Sequence, residues 1–256
     1  MNSIAKVIAR YALVLGVDCR RILGLRNIPK YLIHKYRFKS LGGRISRLYP
    51  VLIDFDEPAG DGKGHYFHQD LLVASFVAQR NPIRHIDIGS RIDGFVAHVA
   101  SFRTIDVMDV RELNNFGHKN ISFLRADLMV SNDTMHGVAD SISCLHAIEH
   151  FGLGRYGDPI DPDGHVKGFK NILKMLKSGG ILYISMPIGS RGAVVFNAHR
   201  IFEPKELLSW AGGDYKFDLI RFDLVDDDGN LREAVSLDCI GENLKYGCGI
   251  YTIKKH

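Results

Sequence analysis

The sequence predicts an α/β fold: a doubly wound, mostly parallel seven-stranded sheet with an antiparallel late strand. Three observations carry that expectation. Short, almost wholly apolar runs recur between residues 84 and 187 and alternate with helical patterns, as buried parallel strands do. The first run ends in a tight glycine turn, IDIGSRIDG, residues 86–94. Two later runs, KFDLIRFDLV and CGIYTIKK, lie on either side of a DDDGN turn, which suggests an antiparallel edge.

The elements follow in order. Residues 1–48 read as a basic helical arm, broken near Pro29 and again at Gly42-Gly43. Within it Ile4, Val7, Ile8, Tyr11 and Leu15 repeat at helical spacing, with Lys6 and Arg10 off that stripe. Residues 49–256 read as the α/β domain. Its first stretch, 49–70, is a Pro- and Gly-rich loop with a short strand, VLIDF, inside it. DLLVASFVAQRN, 70–81, is an apolar helix with Asp70 as its N-cap. RHIDIGS is the first sheet strand, and GFVAHVASF a small helix after it. RTIDVMDV, ISFLRADL and ADSISCLH are three more strands. HVKGFKNILKMLKSGG, 165–180, is an amphipathic helix: Phe169, Ile172, Leu173 and Leu176 share one face, and the Ser178-Gly179-Gly180 turn stops it. ILYISMP is a fifth strand closed by proline, and EPKELLSWAGG a helix closed by Gly212-Gly213.

Composition bounds the function. The chain has 256 residues, 46% hydrophobic and 24% charged, ordinary for a folded protein with a real core. It has no run of eighteen apolar residues, so no transmembrane segment is expected. The start resembles a weak signal peptide but lacks a small-x-small cleavage site, and Arg10 interrupts its apolar run. Four cysteines without a C-x-x-C pair argue against a zinc knuckle or a disulfide scaffold and fit a reducing cytoplasm. Charge is uneven. Residues 1–48 carry eleven Lys and Arg against one acid, a net +10, and the rest carries 22 basic and 28 acidic side chains, a net −6. The arm is a helix packed on its own domain, or it meets an anionic membrane surface or a membrane-associated partner. Nucleic acid is disfavoured, because few exposed aromatics interleave the basic residues.

Ligands of open α/β sheets bind beyond the carboxyl ends of strands. The D-x-G-x-R-x-D-G string there, with Asp87, Gly89, Ser90, Arg91 and Gly94, brings backbone near a bound cofactor. It is neither G-x-G-x-x-G nor a P-loop, which disfavours an NAD-dependent oxidoreductase. Asp109 closes the second strand, 22 residues after Asp87, where an acid commonly bonds ribose hydroxyls. Asp127 closes the third and is placed to accept from an adenine amino group. HAIEH, 146–150, spells an inverted zinc-protease motif, but His146 ends a strand and FGLGRYG follows too closely for a helix. The expectation is no metal. His146, Glu149 and His150 stand instead at the mouth of the fourth strand. A polar loop, 151–165, with Arg155, Tyr156, Asp158 and His165, reads as acceptor recognition or as an ordinary Asp-Pro-turned connection. His150 is the first choice for a general base, with His146, His165 and His199 as rivals. Arg155 and Arg200 either hold an acidic acceptor or brace loops.

The pieces HIDIGSRIDG, VMDV, ADLM, ADSISCLHAIEH and NILKMLKSGGILYISMP resemble class I S-adenosylmethionine-dependent methyltransferases over residues 83–190. Within that superfamily YFHQD, IDIGSRIDGFVAH, LHAIEHFGLGRYGDPIDPDG and FNAHRIF resemble one methyltransferase-like family of unassigned substrate, over about residues 50–205. The resemblance implies a Rossmann-like methyltransferase fold, S-adenosylmethionine as cofactor and a small-molecule acceptor, with a saccharide suggested by polysaccharide genes near some members. Carried over by position, Asp87 and Gly89 bound the methionine part, Asp109 the ribose and Asp127 the adenine. Glu149 and His150 then lie at the point of methyl transfer. The usual loop is D-x-G-x-G-x-G, and here Arg91 replaces one glycine.

Overall fold

A computed structural model describes residues 12–13, 16, 19–113 and 117–256. The proposed apolar stripe of Ile4, Val7, Ile8, Tyr11 and Leu15 lies outside the described residues. The chain divides into two compact units, one ending at Asp61 and the other spanning Gly62–His256.

In the first unit α1 (Cys19–Gly24) leads through a 3-10 turn to α2 (Ile28–Ser40). Pro29 does not break this segment; it occupies the first turn of α2. The N–H that proline lacks has no helical partner there, so its presence costs nothing. Gly42, at φ 86°, ends the helix as expected. The strand expected at VLIDF does not form: residues 54–56 make a single 3-10 turn. That turn packs Phe55 under Lys30, 4.6 Å from the ring, and beside His34.

The second unit holds the sheet. Its first helix, α3 (His65–Arg80), starts five residues earlier than its apolar pattern. Asp70 is therefore not its cap; it sits buried inside the helix beside Gln69. Four parallel strands follow: β1 (His85–Ile88), β2 (Ile105–Asp109), β3 (Ile121–Arg125) and β4 (Ala139–Leu145). A π-helical turn (Ile92–Val96) and the short α4 (Ala97–Ala100) join β1 to β2. After β4 come α5 (Gly164–Met175) and β5 (Leu176–Ile188), which pairs parallel with β4. Then come a small hairpin of β6 (Ala193–Val195) and β7 (His199–Ile201), the long β8 (Phe217–Val225), the two-residue β9 (Leu231–Arg232) and β10 (Gly247–Lys255).

Among the described residues the sheet order is β3-β2-β1-β4-β5-β10-β8-β9. As expected, the late strands make an antiparallel edge on the parallel sheet, and within it β10 itself is interior: it runs antiparallel to both β5 and β8 and separates them. Its burial explains why, since Cys248, Ile250, Tyr251 and Ile253 have no exposed surface and need neighbours on both sides.

Two apolar layers cover the sheet. Val73 and Val77 of α3 pack with Phe95, Val96 and Val99 on one face. Phe169, Ile172 and Leu173 of α5 pack with Phe202 and Trp210 on the other. Each such fully buried side chain contributes roughly 1.5–3 kcal/mol of transfer energy. The stripe on α5 is as expected, but the helix ends at Met175 rather than at the glycines. Leu176 belongs to β5, where it pairs with Ala139, and the Lys177–Gly180 stretch is a bulge in that ladder. EPKELLSWAGG makes only a 3-10 turn, Glu206–Ser209, which places Leu207 and Trp210 in the core. No described helix is long and apolar enough to cross a membrane.

Candidate active site

The carboxyl ends of β1, β2, β3 and β4 open onto one cleft. The chain makes it with four successive turns. After β1, Gly89 takes φ 72°, and a Cβ there would stand 2.8 Å from that of Ala147. Glycine lets the two strand ends close up. After β2 stands Asp109, after β3 Asp127, and after β4 His146 and Ala147, all lining the cleft. His150, Phe151, Tyr156 and Asp158 form its outer wall.

Asp87 does not reach this cleft. It is fully buried, and its oxygens accept from Ser143 Oγ (2.5 Å), Ser90 Oγ (2.8 Å) and the Ser90 N–H (3.1 Å). It fastens the glycine turn to β4. Burial pushes its carboxyl up to about 7, against the pull of the Ser143 and Ser90 hydrogen bonds. This has a sign. The folded carboxyl titrates above its ordinary 3.8, so between about pH 4 and about pH 7 only the unfolded chain has lost the proton. Stability falls as pH rises through that window, by at most about 4 kcal/mol from this group. Denaturant midpoints measured across it should decline more steeply in the wild type than in Asp87→Asn. Parallel curves would refute the assignment.

Arg91 lies outside, 73% exposed and paired with Asp93. Gly94 borders a second hollow with Ser90, Gln69 and Asp70. Asp109 is held by Arg111, whose Nη2 and Nε donate at 2.6 and 2.9 Å and whose backbone N–H donates at 2.8 Å. The Arg111 guanidinium also covers the Tyr156 ring at 4.4 Å. Asp127 accepts the Met129 N–H, which leaves it part-buried at the cleft wall.

His146 has φ 49°, a left-handed conformation uncommon outside glycine. Its N–H donates to Ser185 O, and its Nδ1 meets Glu149 Oε1 at 2.7 Å. Burial opposes charge on this imidazole. The Glu149 carboxylate and Cys248 outweigh it and hold the group up to about 10. His146 Nε2 lies 3.1 Å from His65 Nδ1. Burial, and then His146 itself, push His65 down to about 4, so of the two rings His146 carries the proton.

His150 is different. Its Nδ1 donates to Ala198 O at 2.7 Å. A carbonyl only accepts, so that bond fixes the tautomer with Nε2 unprotonated. Burial holds its pKa below the ordinary histidine value, with Glu149 pulling the other way. Nε2 stands 3.8 Å from Glu149 Oε1, and Tyr156 packs edge-on to the ring. A neutral imidazole with a free nitrogen lone pair at a cleft wall is equipped to take a proton.

The loop 151–165 is braced largely by its own polar groups. Asp158 accepts the N–H groups of Gly152, Gly154 and Tyr156. Arg200 is 5% exposed, and its guanidinium donates to Phe151 O and Pro162 O, which makes it a loop brace. Arg155 donates to Ala198 O beside His150 and stays exposed. His165 is drawn away from the cleft into the aromatic core with Phe202 and Trp210. His199 packs near Tyr246 at 5.5 Å. The sequence reading missed Arg111 at the cleft and the meeting of His65 and Cys248 with His146. Arg111 had a local signal, two residues after a strand-end acid; the histidine–cysteine cluster had none.

Residues 92–215 match the model of a family described as Caenorhabditis protein of unknown function, DUF268. No curated protein matches the chain significantly. Among solved structures it is similar to the 1,6-didemethyltoxoflavin-N1-methyltransferase of Burkholderia thailandensis, solved with 1,6-didemethyltoxoflavin and S-adenosylhomocysteine. That likeness has a TM-score of 0.52 at 15% identity, over 73% of this chain and 78% of that one. It is similar also to the N-methyltransferase NodS of Bradyrhizobium japonicum, solved with S-adenosylhomocysteine, with a TM-score of 0.50 at 14% identity over 78% and 92% of the chains. The [4+2]-cyclase SpnF gives 0.51 at 16% identity over 88% and 93%. The fold is therefore the Rossmann-like fold of these methyltransferases. The cyclase among them shows that the fold alone does not decide the reaction.

Proposed function

We propose that the protein binds S-adenosylmethionine and transfers its methyl group to a hydroxyl-bearing small molecule, a saccharide in the first place. One observation carries the reading: the turn at Gly89, Asp109 and Asp127 line a single cleft at consecutive strand ends, in a fold shared with two methyltransferases solved with the demethylated cofactor. Asp109 would accept from the ribose hydroxyls and Asp127 from the adenine amino group, with Met108 and Leu128 as apolar walls. The Gly89 turn would face the amino-acid part, steadied from below by Asp87. His150 would take the acceptor proton, with Tyr156 and Arg155 at the rim.

The test starts with calorimetry against S-adenosylhomocysteine. Binding is expected, and Asp109→Ala should weaken it by about 10- to 100-fold, the loss of roughly 1.5–3 kcal/mol in hydrogen bonds to a charged group. Equal affinities would remove Asp109 from the site. Methyl release from labelled cofactor, assayed with nucleotide sugars, oligosaccharides and lipid-linked sugars, tests the acceptor class.

A second reading, a methyltransferase-like binding or scaffold protein, is favoured by the grip of Arg111 on both Asp109 oxygens. Tight cofactor binding without turnover over that whole panel would select it. For the basic segment 1–48 the reading is contact with an anionic surface. Its support is α2, where Ile33, Tyr36 and Phe38 are exposed among Lys35, Arg37 and Lys39.

A further inference from the structure

We propose that His65, His146 and Cys248 form a binding site for a divalent ion of the zinc class. The three come from distant places: the first residue of α3, the end of β4 and the second residue of β10. His65 Nδ1, His146 Nε2 and Cys248 Sγ all lie within 4.8 Å of one another. Zinc bonds of about 2.0–2.1 Å to nitrogen and 2.3 Å to sulfur set tetrahedral ligand atoms about 3.3–3.6 Å apart. The present 3.1 Å between the two imidazole nitrogens needs a few tenths of an ångström of opening, and Cys248 Sγ, within 4.8 Å of both, closes in by up to about 1 Å when the ion binds.

Four features beyond proximity point to an ion. Two imidazole nitrogens facing each other repel unless something electropositive lies between them, and a metal serves there as a proton does. The second nitrogen of His146 is bonded to a carboxylate, Glu149 Oε1 at 2.7 Å, the usual support of a metal-bound histidine. The charges balance: a Cys248 thiolate and the Glu149 carboxylate supply two negative charges against two positive, and both side chains are buried. Cys248 is free of any disulfide, and its polar contact to Gln69 Oε1 is long, at 3.7 Å.

Two nitrogens and one sulfur select a zinc-like ion over magnesium or calcium. Three protein ligands leave a fourth position for water or another oxygen. The HAIEH string thus has a metal role different from the one it spells. His146 pairs with residues far away in sequence, and His150 takes no part. This proposal concerns ion binding alone and stands or falls separately from methyl transfer.

The test uses the full chain, stripped of metal and titrated with Co²⁺ and then Zn²⁺. One equivalent of cobalt should bind, give a thiolate-to-cobalt charge-transfer band and be displaced by zinc. Cys248→Ala and His65→Ala should abolish the band, whereas Cys239→Ala, which removes an exposed thiol elsewhere, should keep it. Glu149→Gln should weaken cobalt affinity by about 10- to 100-fold. His65 is only half-buried, so its variant removes a ligand at small packing cost, and circular dichroism of each variant checks the fold. A wild type that takes up no cobalt, or a band that survives Cys248→Ala, would overturn the site and leave a proton-bridged histidine pair. S-adenosylhomocysteine calorimetry on the same samples separates this failure from failure of the cofactor reading.

Discussion

His150→Ala is expected to lower turnover by about 100- to 10,000-fold while leaving the affinity for S-adenosylhomocysteine nearly unchanged, because a general base acts on the transition state. The reason lies in how the ring is held. Ala198 O fixes the proton on Nδ1, so the lone pair on Nε2 is available before any acceptor arrives. His150→Gln should be as slow as alanine, since it restores a polar group and no base. The pH profile gives an independent check. Burial depresses this imidazole, so the acidic limb of turnover should lie below the ordinary histidine value and vanish in both variants. Full activity in His150→Ala would return the ring to a packing role against Tyr156.

Gly152→Ala should act on a different level, on the loop that forms the outer wall. Gly152 has φ 77°, and a Cβ there would fall 2.0 Å from the backbone oxygen of Asp161. The left-handed conformation costs alanine about 1–2 kcal/mol, and forced overpacking typically another 1–3. The stiffer unfolded chain returns less than about 1 kcal/mol. A net loss of about 2–4 kcal/mol is expected, read as a lower Tm. The clash is with backbone, so residues 151–163 must shift, and Arg200 must release Phe151 or Pro162. Cleavage of that loop by a probing protease should accelerate. An unchanged Tm with unchanged proteolysis would show that the loop is not held as described.

Most of the sheet was legible in the sequence because short runs rich in Ile, Val and Leu recur between turn signals, although β1 (HIDI) and β4 (ADSISCL) also bury His85, Asp87, Ser141 and Ser143. The helix α5 was legible from one stripe, yet its end was not. Leu176 continues that stripe, but its pairing with Ala139 draws it into β5, a long-range choice no local pattern records. Asp70 looked like a cap because acids often are; a buried acid inside a helix has the same letter. For the cleft, the strand-end acids and the 146–158 stretch could be read in order, since four consecutive strand ends must open on one side. What those side chains do was less visible. Arg200 and Asp158 hold loop backbone, and Asp87 holds a turn, so their polar groups serve architecture.

The interior place of β10 sets an order in which the molecule can become native. The cleft is lined by residues 88–158, which close comparatively short loops. The cluster beside it brings Cys248 against Gln69, 179 positions away, and needs β10 inserted between β5 and β8. Contacts of such sequence separation form late, because loop closure must come before they stabilise anything. The cleft is therefore expected to take shape with the parallel strands, and the histidine–cysteine corner only as the sheet is completed.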